Sequence, residues 1–346
     1  MSIKLADTLG PMGNFPAAKS SDVEITLLDK TKKSIQKAYE DGDFGNSKVL
    51  CKFINDNTNL VWDSKTWNGF NFNNTNASFI WKDGDNVYCS CYNYATSVTE
   101  HYVLNKKTST WETKIWNTTY DYITGNGIWD DGDNIYYSNG VIQYTLNKGT
   151  STWEAKTWNG EFTRPSKNSI WKDGDKVYYS DRDAQYVLNK ETSTWETKTW
   201  NGFNPQGQYI WKDGNNVYLS HKGEDWDFSD PENPIQITIN DQYVLDRETD
   251  TWIEKDWDGF EPEDAFMIWS DGFNTYYSQA DTYQKVLNKK TGTWEDKTWA
   301  SNVTLQFFTG QNIWNDGENV YHSLNGTYNY ALIRTMNNTI NSFINY

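Results

Sequence analysis

Cysteine is scarce in this chain of 346 residues, which has only Cys51, Cys89 and Cys91. An odd number of cysteines without a framework spacing argues against a disulfide-stapled scaffold. Cys89 and Cys91 lie two residues apart in a strand-like run, so their side chains should point to the same side of one strand. We expect both to be small buried residues; a metal-binding pair is the alternative.

Positive charge and long apolar runs are also lacking. The formal net charge is −16, which argues against nucleic acid and anionic membranes as partners, because both are bound through clustered Lys and Arg. No apolar run is long enough for a transmembrane helix. The opening residues, Met1 to Leu5, lack the apolar segment of a signal peptide. We therefore expect synthesis in a cytoplasm, no membrane insertion and no nucleic acid partner.

Histidine and arginine are few, which weakens the case for catalysis. The three histidines, His101, His221 and His322, fall at different points of the sequence pattern and form no ligand cluster by spacing. Only four arginines are present, whereas a sialidase needs several to hold an acid sugar. No carboxylate pair stands out for glycoside hydrolysis. We expect no enzymatic activity, no metal and no cofactor.

Aromatic side chains are abundant, with 19 Trp, 23 Tyr and 15 Phe. Many belong to one repeated stretch, which is clearest at Ile170 to Ser180. Asp-Gly between aromatic and β-branched runs is a hairpin signal, because Gly accepts a positive φ. Each copy therefore predicts a strand, a tight turn and a strand. The other five copies are Ile80 to Ser90, Ile128 to Ser138, Ile210 to Ser220, Ile268 to Ser278 and Ile313 to Ser323.

A second unit alternates with the first and is clearest at Tyr186 to Trp200. A polar Asn-Lys-x-Thr turn separates two strand-like runs, so one full repeat has four short strands. The first-unit Trp residues recur at spacings between 40 and 58 residues. Four strands in such a period are typical of a β-propeller. Close copies of the second unit begin at Tyr102, Tyr144, Tyr243 and Gln284.

The repeats predict an all-β chain with a six-bladed propeller at residues 49–346 and a short arm at residues 1–48. A composite blade of residues 313–335 with 49–67 would join the N- and C-terminal strands, close the ring and remove free strand edges. The continuous blade repeats lie near residues 79–116, 127–158, 169–200, 209–257 and 267–299.

The composite blade leaves one alternative open. Val49 to Ile54 and Leu60 to Trp67 read as a hairpin that supplies the third and fourth strands, while residues 313–323 supply the first and second. If Tyr328 to Thr335 is instead a third strand, the N-terminal hairpin would belong to a seventh, incomplete blade. We favour six blades, because no first and second strands precede Val49.

The repeat resembles the kelch repeat. Val244 to Trp252 resembles the third strand, turn and fourth-strand Trp of that family, and Asn216 to Tyr218 resembles its second strand. The Gly-Gly doublet of the family is missing, so the resemblance is to a divergent, kelch-like propeller. It covers about residues 49–335, implies a propeller with a tendency to bind, and says little about chemistry.

The opening residues resemble a different group of proteins. Lys4 to Lys19, followed by Asp22-Val23, resembles the N-terminal leader of tail, baseplate and fibre proteins in phages and prophages of Gram-positive bacteria. The resemblance implies an attachment arm that docks on other tail or baseplate proteins, and a place in the virion. A generic flexible arm is the alternative. The apolar candidates for the arm's contacts are Leu5, Leu9, Met12 and Phe15.

The largest irregularity is an insertion of about 15 residues between Ser220 and Gln242. We expect an acidic loop that contacts a partner or a cell-surface glycan; a tolerated surface insertion is the alternative. A Ca²⁺ site is a weak further possibility, because the Asp spacing lacks the Gly and terminal Glu of an EF-hand. A shorter insertion, Tyr92 to Thr99, could frame the same site. The candidate ligand-binding residues are His221, Asp225, Trp226, Asp227 and Phe228.

Together these features predict a non-enzymatic structural or binding component of a phage tail, baseplate or related particle. The propeller would present loops for binding a host surface or a partner. Two alternatives are a dedicated carbohydrate-binding receptor protein and a glycan hydrolase on a propeller scaffold.

Overall fold

The computed structural model describes most of the chain from Thr58 to Met336 and two short strands before it. The described residues are 24–26, 32–34, 58–70, 79–93, 96–117, 122–181, 184–227, 235–280, 283–301, 304–324 and 327–336. They form an all-β, six-bladed propeller. Ahead of the ring, β1 (Glu24–Thr26) pairs antiparallel with β2 (Lys32–Ser34).

Each blade is an antiparallel sheet in which the strands follow chain order. Blade 1 contains β4 (Ile80–Asp83), β5 (Asn86–Asn93), β6 (Val98–Asn105) and β7 (Thr110–Thr113). Blade 2 contains β8 (Ile128–Asp130), β9 (Ile135–Ser138), β10 (Gln143–Asn147) and β11 (Thr152–Ala155). Blade 3 contains β12 (Ile170–Asp173), β13 (Lys176–Ser180), β14 (Gln185–Asn189) and β15 (Thr194–Thr197). Blade 4 contains β16 (Ile210–Asp213), β17 (Asn216–Asp227), β18 (Ile235–Asp246) and β19 (Thr251–Glu254). Blade 5 contains β20 (Ile268–Ser270), β21 (Thr275–Gln279), β22 (Tyr283–Asn288) and β23 (Thr293–Asp296).

Blade 6 joins the two ends of the chain. Its strands are β3 (Thr58–Ser64), β24 (Ala300–Ser301), β25 (Ile313–Asn315), β26 (Val320–Leu324) and β27 (Tyr328–Met336). β27 pairs antiparallel with β3, and Leu332 lies opposite Trp62. The two-residue β24 adds in parallel to the outer edge of β3. The ring is therefore closed by hydrogen bonds between its first and last strands.

The closing blade differs from the predicted division of strands. Three of its four main strands come from the C-terminal part of the chain and one from the N-terminal part, whereas two from each were expected. The third strand is β27, so Tyr328 does begin a strand but no seventh blade is needed. Residues 49–54 lie outside the described part.

Six clusters of buried aromatic and aliphatic residues fill the six gaps between neighbouring blades. Trp195 packs between blades 2 and 3 with Trp129, while Trp200 packs between blades 3 and 4 with Trp171. Trp195 in β15 and Trp200 just after it thus fill the gaps on opposite sides of blade 3. Cys89 and Cys91 are buried on the blade 6 side of β5 and are not bonded to each other.

The six Asp-Gly turns are of two kinds, although the sequence predicted six tight turns. In blades 1, 3 and 4 a two-residue turn follows the first strand, which ends at Asp83, Asp173 and Asp213. In blades 2, 5 and 6 the first strand stops earlier, and Asp131, Asp271 and Asp316 become buried. Each of these carboxylates accepts two backbone N–H bonds from its own turn and one bond from a Tyr hydroxyl. Local hydrogen bonding therefore overrides the tight turn.

Among the described residues, complete 3-10 helices lead into the first strand of five blades. Gly207 begins one of them, and a Cβ there would lie 2.3 Å from the carbonyl oxygen of Ser169 in the preceding 3-10 helix. Only glycine permits that close approach. The five helices are Gly125–Gly127, Lys167–Ser169, Gly207–Tyr209, Ala265–Met267 and Gly310–Asn312.

Candidate functional site

Successive connections within an antiparallel blade lie at opposite ends of its strands, so the ring has two unlike faces. The turn face carries the turns between first and second strands and those between third and fourth strands. The connection face carries the residues between second and third strands and those that lead to the next blade. Among the described residues the connection face comprises 93, 96–98, 138–143, 180–181, 184–185, 220–227, 235–242, 279–280, 283–284, 324 and 327–328, with 70, 79, 122–127, 161–169, 203–209, 260–267 and 304–312.

Exposed apolar side chains are concentrated on the connection face. Of twelve large apolar side chains that are exposed among the described residues, eight lie there. The turn face carries Phe273, and Ile115, Ile253 and Ile333 lie on or beside the outer strands. Clustered exposed apolar groups are typical of an interaction surface. The eight are Val98, Tyr122, Val141, Ile235, Ile237, Phe266, Tyr283 and Phe307.

The connection face is also acidic. Where side chains are described, seven carboxylates lie on it against three cations, which are Arg164, Lys167 and Lys222. Desolvation by burial lowers the pKa of Lys167 and raises the pKa of Asp264. The seven carboxylates are Glu161, Asp181, Glu224, Asp241, Glu261, Glu263 and Asp264.

On the turn face, by contrast, charges are used to join blades. A cation in the third turn of one blade reaches a carboxylate in the first turn of the preceding blade. Lys148 lies 2.6 Å from Asp83, Arg247 lies 2.6 Å from Asp173, and Lys289 lies 2.6 Å from Asp213. These three pairs link neighbouring blades at the turn face.

A buried polar chain fixes the connection face to the blades. In every blade the Trp of the first strand donates its indole N–H to the hydroxyl of a Ser in the second strand, over 2.8–3.0 Å. Opposite that Ser, Gln143, Gln185 and Gln242 donate from Nε2 to the carbonyls of Pro165, Pro205 and Pro262. These Pro residues belong to the blade-to-blade connections. The network thus ties three of the connections to the core. Sequence reasoning did not identify it; its signal was a Gln in the third strand opposite the Ser.

His101 takes the Gln position in blade 1. Its Nδ1 lies 2.8 Å from the Ser90 hydroxyl, and register places His101 opposite Ser90. Desolvation by burial lowers the pKa of His101 to about 4, so the imidazole is neutral at ordinary pH. His101 is therefore part of the scaffold.

An acidic loop was predicted after Ser220. The described residues there form a β-hairpin instead. β17 and β18 continue seven residues beyond the blade, and Asp227 lies opposite Ile235. The prediction missed the strands because it weighed charge over the alternation of Ile235, Ile237 and Ile239, which is a strand signal. Phe228 lies outside the described residues.

The candidate residues of the hairpin occupy different positions. The ring of His221 stacks on Tyr209 with centroids 3.8 Å apart, and His221 forms a backbone bridge with Asp264. It thereby anchors the hairpin to the connections on both sides. Register sets Asp225 opposite Ile237 and Trp226 opposite Gln236. No cluster of three or more possible metal ligands occurs among the residues that the structure describes.

The shorter insertion in blade 1 lies on the same face as the hairpin. β5 and β6 extend to Asn93 and Val98, and the ring of Tyr92 stacks on Tyr122 with centroids 5.1 Å apart. Tyr122 remains 47% exposed. The pair forms an aromatic platform on the connection face.

Phe307 is the most unusual residue of the connection face. Its φ is 52°, a left-handed value that is an outlier for a bulky side chain, and 59% of its surface is exposed. The turn buries the neighbouring Phe308 completely while it turns Phe307 outward beside Tyr328, with ring centroids 5.1 Å apart. Backbone strain of this kind clusters at functional sites.

Two further predictions concern the N-terminal arm and membrane insertion. The proposed arm contacts Leu5, Leu9, Met12 and Phe15 lie outside the described residues. Within the described ranges no helix has the length and apolar character to cross a membrane.

Comparisons with known proteins add little to the fold. No family model matches the chain, and no curated protein matches it. It is similar to the extracellular domain of a hybrid two-component system of B. thetaiotaomicron, with 12% identity, 73% of this chain and 33% of that chain covered, and a TM-score of 0.39. It is also similar to the extracellular domain of a one-component system of that organism, with 13% identity, coverage of 73% and 31%, and a TM-score of 0.43. The chain spans about a third of these structures.

Proposed function

We propose that the chain is a non-enzymatic binding component of a phage tail, baseplate or related phage-derived particle. The ring presents its connection face to a host surface or partner, and residues 1–48 attach the ring to other tail or baseplate proteins. This assignment places the protein in the virion, without nucleic acid or membrane insertion.

The observation that carries the binding role is the contrast between the two faces. Exposed aromatic and aliphatic side chains gather with an excess of carboxylates on the connection face. On the turn face, three ion pairs among the described residues join neighbouring blades. A rigid ring that holds such a surface on short connections is suited to binding with little loss of conformational entropy.

The particle assignment is supported by the opening sequence. Lys4 to Lys19 resembles the leader of tail, baseplate and fibre proteins, and the ring resembles a divergent kelch propeller. Propellers host many unrelated functions, so the fold by itself supports neither a particle nor a ligand.

A non-enzymatic role is supported by what the polar residues already do. His101 and His322 lie within the scaffold, where His322 is fully buried between the carbonyls of Phe307 and Tyr328. His221 stacks at the base of the hairpin. The buried carboxylates Asp131 and Asp316 are held by their own turns.

A cell-surface glycan is the ligand class that one specific observation favours. The stacked Tyr92 and Tyr122 and the outward Phe307 offer flat apolar surfaces on the connection face. Aromatic rings bury large apolar areas and offer a polar edge, which suits the mixed surface of a sugar.

The test is binding of the purified full chain to Gram-positive cells and to their isolated cell-wall polysaccharide. We expect saturable binding to cells, competed by the polysaccharide. Binding to cells that the polysaccharide does not compete would replace the glycan with another surface partner. An absence of binding to any cell surface would contradict the binding role.

A further inference from the structure

The hairpin of blade 4 has an unpaired strand edge. β16 covers β17 only up to Leu219, and β19 covers β18 only from Tyr243. Beyond those points β17 and β18 pair with each other alone. At the base, the β17 edge is occupied, because the N–H of Lys222 donates to the carbonyl of Glu263 over 2.8 Å. The β18 edge from Ile235 to Asn240 pairs with no further strand in the part of the chain that the structure describes.

The residues of that edge are suited to pairing. Ile235 to Asn240 reads Ile-Gln-Ile-Thr-Ile-Asn, with no charge, proline or glycine. Natural proteins usually protect an exposed edge with charge, proline or a bulge. Short uncharged runs of high β-propensity readily pair with another strand. The side chains of Ile235 and Ile237 are 65% and 43% exposed.

The two sides of the hairpin are used differently. Asn240 donates to the Glu261 carboxylate over 2.9 Å, and Gln236 donates to Glu224, so one side is bonded within the chain. Ile235, Ile237 and Ile239 alternate with these residues and lie on the other side. That isoleucine side extends from the level of His221 to the end of the described strand.

We propose that β18 pairs antiparallel with β18 of a second copy of this chain, centred on Ile237. This register sets Ile237 opposite Ile237, Ile235 opposite Ile239, and Gln236 opposite Thr238. The isoleucines of both copies then lie on one side of a four-stranded sheet. A shift by one residue would send them to opposite sides.

Charge favours a second copy over a cationic segment. Between Ile235 and Asn240 no carboxylate is present that could bind a Lys or Arg opposite it. Like charges on opposite strands would be destabilising. Pairing of β18 with β18 of a second copy places no like charges opposite each other along the seam, which is the contact between the two β18 strands. The carboxylates Glu224 and Glu261 lie on the neighbouring strand and the blade connection.

The arrangement is an isologous dimer with a twofold axis at Ile237. β18 runs back toward its own ring, so antiparallel pairing turns the connection faces of the two copies toward each other. The two connection faces therefore cannot both be paired in this way and bound to a surface as proposed above. The dimer would form first and separate before that binding.

The experiment measures the mass of the full-length protein by sedimentation equilibrium, between about 1 and about 100 μM, the range of weak specific association. We expect a dimer that forms as concentration rises. Ile237→Lys should give a monomer throughout, because a charge enters the seam from both copies. The matched control, Ile253→Lys, changes another exposed isoleucine of the same blade and should leave the dimer unchanged.

The salt dependence of dimer formation distinguishes an uncharged strand contact from an electrostatic one. Each copy carries a net charge of −16, so raising NaCl from about 0.05 to about 0.5 M should strengthen the dimer by screening repulsion. Dissociation by salt would instead indicate a cation-dependent contact and would overturn the proposal.

A cross-link tests the register. Antiparallel partners have Cα atoms about 4.5–5.5 Å apart, within the range of a disulfide. Ile237→Cys should therefore give a covalent dimer on mild oxidation, and Ile253→Cys should not. The proposal is wrong if the wild type stays monomeric at the highest concentration, if Ile237→Lys leaves the mass unchanged, or if the two Cys variants cross-link equally.

Discussion

At the residue scale, buried polar groups form a hydrogen-bond network that belongs to the scaffold of the ring. Six Trp–Ser pairs repeat around the ring, and in three blades a Gln reaches the connection to the next blade. His101 departs from that pattern in blade 1, where a titratable ring replaces an amide. The same network therefore contains one group whose charge depends on pH.

His101→Gln should remove a pH dependence of stability. The unfolded imidazole has a pKa near 6.5, while burial lowers the pKa of folded His101 to about 4. The neutral ring is favoured in the fold, so its contribution is present above pH 6.5 and is lost as pH falls through the folded pKa. The loss approaches about 3 kcal/mol. Urea unfolding of both proteins at pH 7 and pH 4 measures it; a stability difference that does not change with pH would refute this role.

Trp195→Ala should destabilise the ring strongly. Trp195 is 3% exposed and fills the gap between blades 2 and 3. Removal of a large core aromatic costs about 3–5 kcal/mol. Phe273→Ala, at an exposed aromatic of the turn face, is the control and should stay within about 0.5 kcal/mol. Chemical denaturation measures both, and a loss below about 1 kcal/mol for Trp195→Ala would mean that the side chain does not hold the blades together.

At the element scale, the two kinds of Asp-Gly turn differ in what they bury. Asp131 is 3% exposed and accepts bonds from the N–H groups of Asp133 and Asn134 and from Tyr136. Burial raises the pKa of Asp131, but the bonds from Asn134, Asp133 and Tyr136 outweigh burial and hold that pKa below its ordinary value. Its stabilising contribution is therefore present at neutral pH and is lost as pH falls through the lowered pKa.

Asp131→Ala should cost about 1–3 kcal/mol at neutral pH, because three donors lose their acceptor. Asp85→Ala is the matched control in a two-residue turn, where the side chain is exposed, and should change stability by less than about 0.5 kcal/mol. Thermal unfolding at one pH ranks the two variants. Equal losses would show that the two turns do not differ in the way described.

The strand pairs of the blades could be predicted from sequence because aromatic and β-branched residues alternate on both sides of each Asp-Gly. The turn type could not, since it depends on whether the Asp carboxylate accepts bonds from the N–H groups of its own turn, as it does at Asp131. The hairpin at β17 and β18 was missed because an acidic insertion suggests a loop. Of the candidate site, the sequence shows both insertions at the same point of the blade repeat but did not establish that Tyr92 and the hairpin share a face. Phe307 has no sequence signal, because its strained φ appears only in three dimensions.

At the scale of the whole molecule, one strand closes the ring. β3 supplies the outer strand of blade 6 and buries Trp62 completely against Trp269 and Phe308. Without β3, β27 would expose a nine-residue edge, and the gap to blade 5 would lose its central Trp.

Two N-terminal deletions should therefore behave differently. Removal of residues 1–48 should leave a folded, soluble ring that no longer joins the particle. Removal of residues 1–64 also removes β3 and should give an unfolded or aggregated protein. Circular dichroism, gel filtration and particle incorporation measure these outcomes. Particle assembly with the shorter deletion would contradict the attachment role, and a soluble ring after the longer one would contradict closure by β3.

The most direct test of the account compares binding by variants of the two faces. Tyr122→Ala with Phe307→Asn removes two exposed aromatics of the connection face, and Asn tolerates the positive φ of residue 307. Phe273→Ala changes the turn face. On Gram-positive cells, the connection-face variant should lose at least tenfold in affinity, or about 1.4 kcal/mol, while it stays folded and Phe273→Ala binds as wild type. Unchanged binding by the connection-face variant, or an equal loss in Phe273→Ala, would contradict a binding role for that face.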